Sequence, residues 1–367
     1  MRRILGEQRR RHRHAAVECR RQIIRHDRLA TQDAVLIGKT HMTADKEGMA
    51  RLGISEETTI GVRTAECGFD PILRDDGLHP DPMDMDTEYF EHLRAHGFEA
   101  DNPWESVANA AEGDDGETLS GWFMRHANKP ARVPAHLSES AYLTDRTLEF
   151  METAKGPWVA HVSYIKPHWP YIAPSPYCSM YGPEDIQPVI RSEEERAHPH
   201  PVLAEYRKER CAKAFSHREV RDKVIPTYMG LISEIDDQIG RIVSHLKATG
   251  QYENTMIIFC SDHGDYLGDH WMGEKDLFFD CSARVPLIVY DPRSEADATR
   301  GQITDALVEG IDLTPTFMDF LGASPKPHIV EGRSLTPLLH KTATVVRKYA
   351  ISEYDYATRE ASISLGV

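Results

Sequence analysis

Four short apolar runs, separated by stretches of helical period, limit what this chain can fold into. Gln32–Gly38 (QDAVLIG), Trp158–Ile165 (WVAHVSYI), Thr255–Phe259 (TMIIF) and Val285–Tyr290 (VPLIVY) are strand-length runs rich in β-branched and aromatic residues. Between them, Ser138–Met151 opens on Ser-Glu and predicts a helix carrying Ala141, Leu148 and Met151 on its apolar side. Ile225–Lys247 places Met229, Ile232, Ile235, Ile239, Val243 and Leu246 at steps of three and four, and Gly250 supplies a stop. Asp305–Leu321 is predicted helical, with Pro315 as an internal kink or break. Strands alternating with helices imply an α/β fold whose mostly parallel sheet is flanked by helices.

In such a fold, ligands bind at the carboxyl ends of the strands. Polar clusters follow Gly38, Ile165 and Phe259, so all three are expected at one site. After the first run comes Lys39-Thr-His41. One intervening residue in extended backbone points Lys39 and His41 to the same side, as gripping an oxyanion requires, although two exposed polar residues would read the same. After the second comes Lys166-Pro-His168-Trp-Pro170, whose prolines restrict the backbone around His168. A positioned imidazole can give a proton to a leaving oxygen; a packed histidine in a rigid connector is the alternative.

After the third run comes Asp262-His263, in SDHGDYLGDHWMGEK. A carboxylate and an imidazole on a tight Gly-containing loop can converge on one divalent metal, with a solvated Asp-Gly turn as the plainer alternative. Asp265, Asp269 and His270 add further potential ligands, and any metal needs partners from elsewhere in the chain. Lys275 stands between a Gly turn and Leu-Phe-Phe, where it could bind an anion at a cavity edge or simply face solvent. There is no G-x-S-x-G, Walker loop or Gly-rich dinucleotide turn.

Charge narrows the function further. Of the net −15, the first 28 residues contribute +7 from ten Arg, no Lys and three acids. The remaining chain has 33 basic against 55 acidic residues, or −22, which argues against general nucleic-acid binding and requires any anion pocket to be locally basic. No window reaches the ~20 apolar residues of a membrane span, and the basic start has no apolar core of a secretory signal. The six cysteines include no C-x-x-C pair, so no disulfide framework is expected and Cys260 and Cys281 read as core residues. A cytoplasmic protein is expected. Residues 45–133, rich in Asp, Gly, Asn and Pro, read as a loop-rich insertion that shapes specificity.

Together these segments resemble the sulfatase family of the alkaline phosphatase superfamily. The resemblance is carried by SDHGDYLGDHWMGEKDLFFDCSARVPLIVYDP within Thr227–Pro292, KPHWPYIAPSPY at Lys166–Tyr177 and VLIGKTHM at Val35–Met42. EGIDLTPTFMDFLG at Glu309–Gly322 follows in family order, so the similarity covers Ala34–Asp355. It implies metal-assisted hydrolysis of a small-molecule sulfate ester, or of a phosphonate or phosphodiester. By this resemblance Asp262 and His263 match half of the site for one divalent cation (Ca²⁺, Mg²⁺ or Mn²⁺). Lys39 and His41 match the Lys-x-His that holds the sulfate and the nucleophile, His168 the histidine near the leaving oxygen, and Lys275 the late sulfate-binding lysine.

Three departures accompany the match. The family's nucleophile lies in C/S-x-P-S-R, with Cys oxidised to formylglycine, and no segment here forms that motif. Asp27 and Asp33 form no strand-end pair like the family's early metal-binding acids, and the chain stops soon after Ser352–Tyr356 where relatives continue into a small subdomain. Residues 1–28 are therefore expected to be an aberrant Arg-rich segment and 29–367 an incomplete sulfatase-like domain, with impaired activity. A reading of another class is a non-catalytic module that binds polyanions through the basic arm.

Overall fold

The computed structural model describes residues 33–40, 44–55, 57–77 and 87–352. The Arg-rich segment and His41 lie outside them.

Three parallel strands form the sheet, in the order β2 (Asp70–Arg74), β1 (Asp33–Gly38), β5 (Trp158–Ser163). The central strand β1 carries Val35, Leu36 and Ile37, all essentially inaccessible, as expected for a run covered on both faces. It pairs with β5 without a break from Asp33↔Trp158 to Gly38↔Ser163, whereas its register against β2 shifts between Leu36 and Ile37. Two antiparallel pairs stand apart from this sheet. One joins β3 (Ala110–Glu112) to β4 (Thr118–Ser120), the other β6 (Ile257–Cys260) to β7 (Leu287–Tyr290).

The helices that flank the sheet are α1 (Glu88–Ala95), α2 (Glu139–Thr153) and the long α3 (Arg218–Ala248). Val35, Ile37 and Leu73 from the sheet pack with Tyr89, Phe90 and Leu93 of α1, Leu143, Phe150 and Met151 of α2, and Leu246 of α3 in one apolar core. Ser138 caps α2, its Oγ accepting from the Ala141 N–H at 3.2 Å.

Both long helices were expected, but their buried faces differ from the apolar pattern. Ile232 is 49% exposed, and the inward stripe of α3 runs through Val224, Thr227, Leu231, Glu234, Ile235 and Gln238. The polar members of that stripe have partners that hydropathy does not register. Ser138 Oγ donates to Glu234 at 2.5 Å, and Thr227 Oγ1 donates to the Ala127 carbonyl at 2.9 Å. In α2, Leu148 is only half-buried while Thr144 and Thr147 are inaccessible, each bonded to the carbonyl four residues back.

The third predicted helix is shorter than expected. It forms α4 (Leu313–Phe320), so Pro315 falls in the first turn, where its missing N–H has no intrahelical acceptor to lose. Within the Asp/Pro-rich stretch, Asp70–Arg74 forms strand β2, which joins the central sheet directly. Cys260, expected in the core, is exposed because β6 ends there at an open loop, while Cys281 is partly covered beside Tyr206 and Tyr266. The five cysteines among the described residues are all free thiols.

Gly38 ends β1 with φ +105°, and a Cβ there would lie 2.0 Å from the Ser163 carbonyl oxygen. Gly97, after α1, also has positive φ (+88°), but a Cβ there would meet nothing within 4 Å. Gly97→Ala is therefore expected to cost only the strain of the left-handed backbone, about 1 kcal/mol. Gly38→Ala adds a backbone clash to that strain and is expected to cost about 3 kcal/mol or more. Urea unfolding of the two variants checks this, and equal losses would contradict it.

Candidate functional site

The parallel register brings the carboxyl ends of β1, β2 and β5 to one edge of the sheet, and each runs into a polar loop. Lys39 follows Gly38 and its N–H donates to the Ser163 carbonyl at 3.2 Å, so the backbone of β5 holds the start of the Lys39 loop. The Thr40 N–H donates to Asp76 Oδ1 at 3.2 Å, and Asp76 pairs with Arg74 at 2.7 Å. Lys39 is only 9% exposed. Burial lowers its pKa, opposed by Asp262 and assisted by Lys275, with Asp76 also favouring the charge. The ammonium of Lys39 thus lies within the field of two groups more than 200 residues away.

Lys275 reaches the same place from a distorted loop. Glu274, Asp276 and Leu277 all have positive φ (60°, 82° and 59°), an unusual run of left-handed non-glycine residues. Buried Tyr266 holds that loop on both sides of Lys275: its N–H donates to the Glu274 carbonyl and its hydroxyl to the Asp276 carbonyl, each at 2.8 Å. The Lys275 ammonium then stands 3.2 Å from His168 Nε2.

That contact fixes the state of His168. An ammonium can only donate, so Nε2 accepts and the ring proton sits on Nδ1, which donates to the Trp169 carbonyl at 2.6 Å. Burial, together with the positive charges of Lys275 and Lys39, pushes His168 down to about 4. The imidazole is therefore neutral near pH 7. In this arrangement its Nε2 is a proton acceptor, and acting as an acid requires a negative charge among the lysines first.

Asp262 and His263 follow β6. The loop is folded tightly: the His263 N–H donates to Asp262 Oδ1 at 3.0 Å, His263 Nδ1 bonds the Gly264 carbonyl at 2.8 Å, and the Gly264 N–H donates to the Ser282 carbonyl at 2.8 Å. This leaves His263 Nε2 facing Asp262 Oδ2 at 3.6 Å, and the His263 and His168 rings meet edge-on at 6.1 Å. Burial alone would raise the pKa of Asp262, but His263, Lys39 and two backbone N–H groups outweigh it, so the carboxylate is held below its usual range. Lys39, His168, Asp262, His263 and Lys275 thus share one site.

The other potential ligands of this loop turn away from it. Asp265 is partly buried and accepts from the Tyr171 hydroxyl at 2.6 Å and the Leu267 N–H at 3.0 Å; desolvation pushes it up to about 7. Asp269 binds the Ile190 N–H, and His270 contacts Glu195. Among the described residues, no cluster of three or more His, Cys, Asp or Glu side chains could hold a metal ion. Asp262 and His263 supply two donors, and two do not complete a divalent-cation site.

Asp75, Asp76 and Lys166 border the site in ways the residue pattern did not single out. The acids follow β2, whose short DPILR run reads as part of a loop; an Asp-Asp pair one residue behind Pro-Ile-Leu was the available signal. Among the described residues, no helix is long and apolar enough to cross a membrane.

With this geometry in view, the sulfatase family model matches residues 79–323. A curated relative, the multifunctional alkaline phosphatase superfamily protein PehA of Trinickia caryophylli, is 38% identical over 226 residues, covering 58% of this chain and 43% of the relative. An arylsulfatase of Clostridium perfringens is 28% identical over 255 residues, covering 66% of this chain and 50% of its own. The chain thus spans about half the length of the curated relatives it matches. Among solved structures, the phosphonate monoester hydrolase of Silicibacter pomeroyi superposes with a TM-score of 0.72 at 27% identity, over 93% of this chain and 62% of that one. The corresponding enzyme of Agrobacterium radiobacter gives 0.67 at 26% identity, over 84% and 60%. The matched segment takes in β5, α3, β6 and the loops bearing His168, Asp262 and Lys275, and by that match the chain belongs to the sulfatase family.

Proposed function

We propose that this site binds the anionic group of a small sulfate monoester and takes part in hydrolysing it to the alcohol and sulfate. The observation that carries the reading is the convergence of Lys39 and Lys275 on His168, next to Asp262, from opposite ends of the sequence. Two ammonium groups at one spot repel each other and are held there against that repulsion, an arrangement that an anion between them relieves. The anion also supplies the negative charge that raises the His168 pKa, so substrate binding readies the ring to protonate the departing alkoxide.

The described residues account for the binding of the oxyanion and the departure of the leaving group. The attacking group is not among them, because the sequence has no C/S-x-P-S-R. Asp262 and His263 form the donor pair that a divalent cation would use, with its remaining donors coming from outside the described residues. Phosphonate monoester hydrolysis is the second reading. It is supported by the structural likeness to two phosphonate monoester hydrolases and by the Asp-His pair, which suits Mn²⁺. Lys39 with His41 favours the sulfate.

Isothermal titration of the purified chain with 4-nitrophenyl sulfate tests the binding. Each charge-assisted contact contributes about 1.5–3 kcal/mol, so Lys39→Met and Lys275→Met are each expected to weaken binding by roughly 10- to 100-fold. Unchanged affinity in both variants would remove the basis of the reading. A lysine with a lowered pKa keeps its charge below that pKa and loses it as the pH rises. Affinity in the wild type is therefore expected to fall at a lower pH than an ordinary lysine would give, and Lys39→Met to lack that fall.

Rates on 4-nitrophenyl sulfate and 4-nitrophenyl phenylphosphonate, measured side by side, separate the two readings. The expected order is sulfate ahead by about tenfold or more, equivalent to about 1.4 kcal/mol in transition-state stabilisation. The reverse order would establish the phosphonate reading instead.

A further inference from the structure

Beneath the site lies a group of charges that the proposed chemistry does not use. Lys166 is the last residue before the His168 loop, and its ammonium donates to the buried Asn109 Oδ1 and to the Pro170 carbonyl, both at 2.7 Å. Glu139 and Glu234, both almost fully buried, face that ammonium from α2 and α3. Glu139 in turn meets the carboxyl of Asp75, whose N–H donates to the Gly38 carbonyl, one residue before Lys39. Ser138 Oγ donates to Glu234. This buried group therefore touches the ends of β1, β2 and β5 at once.

We propose that Lys166 is a positioning residue for His168: its bond to the Pro170 carbonyl closes the 166–170 loop and holds the imidazole against Lys275. Within that loop the successive carbonyls have separate tasks. The His168 N–H donates to the Ile165 carbonyl at 3.0 Å, the ring Nδ1 donates to the Trp169 carbonyl at 2.6 Å, and the Pro170 carbonyl accepts from Lys166 at 2.7 Å and from the Ile172 N–H at 3.0 Å. The ring folds back onto Trp169 while the 169–170 backbone stays turned inward, and Lys166 is the side-chain donor that holds it there, beside the Ile172 N–H. A lysine serves here because its flexible stem brings a compact charge between a backbone carbonyl and a carboxylate pair, which a planar guanidinium cannot do in the same space. The Lys166 ammonium is held between opposing influences, since desolvation pushes it down to about 8 against the pull of Glu139 and Glu234.

The inference rests on His168 belonging to the functional site, but its test needs no substrate. The Lys275 ammonium stands 3.2 Å from His168 Nε2, so a ring released from its place opens that contact. A crystal structure of the full chain carrying each variant reads the separation directly.

Lys166→Met is expected to move His168 Nε2 beyond hydrogen-bond reach of Lys275, with the fold retained by circular dichroism, and Lys166→Arg to restore the contact only in part. Should Lys166→Met fail to fold, the double variant Lys166→Met/Glu234→Gln keeps the net charge of this group and is expected to show the same displacement. A His168 ring that keeps its wild-type place beside Lys275 in whichever of these variants folds would overturn the proposal and leave Lys166 a structural charge only. Loss of ester binding in Lys39→Met and Lys275→Met tests the function separately, so the two readings can fail independently.

Discussion

The close contact between Gly38 and Ser163 governs the architecture of the site. With no side chain on Gly38, β1 can end 2.0 Å (measured from its hypothetical Cβ) from a β5 carbonyl, and the next residue, Lys39, then bonds the same carbonyl. That approach keeps the two strand ends together and places the Lys39 loop beside the loop of His168. Everything chemical at the site follows from this juxtaposition. The Lys275 loop brings a second ammonium to it, and the Asp262 loop brings the compensating carboxylate.

Electrostatics explains why these elements stay charged and poised. In an acidic protein the site is a local exception, with Lys39 and Lys275 set against Asp262 and Asp76. Burial depresses Lys39, with a smaller push from Lys275, and burial together with the two lysines keeps His168 neutral. An entering anion reverses both effects. His168 therefore resists protonation in this arrangement, and under the proposed function the charge that permits it is the substrate's own.

Much of this was legible in the residues and their order. Apolar runs ending in polar loops located the strands and the site. The reason holds for β1 and β5, which pair in the parallel sheet, whereas β6 and β7, expected in the same sheet, pair antiparallel apart from it. Lys39, His168, Asp262, His263 and Lys275 do meet; His41 lies outside the described residues. Periodicity failed where burial is polar. Ile232 fits an apolar stripe but faces solvent, and Glu234 and Thr227 take the interior because Ser138 and the Ala127 carbonyl satisfy them. Asp265 looked like a ligand because a sequence does not show hydrogen-bond partners distant along the chain, here the Tyr171 hydroxyl. The contact of Lys166 with Pro170 is local, yet its significance depends on carboxylates from α2 and α3.

A crystal structure of the chain with bound 4-nitrophenyl sulfate tests the central claim most directly. The account predicts the sulfate group between Lys39 and Lys275, with an oxygen about 3 Å from each ammonium and the ester oxygen facing His168. A sulfate bound elsewhere, or held by only one of the two lysines, would contradict it.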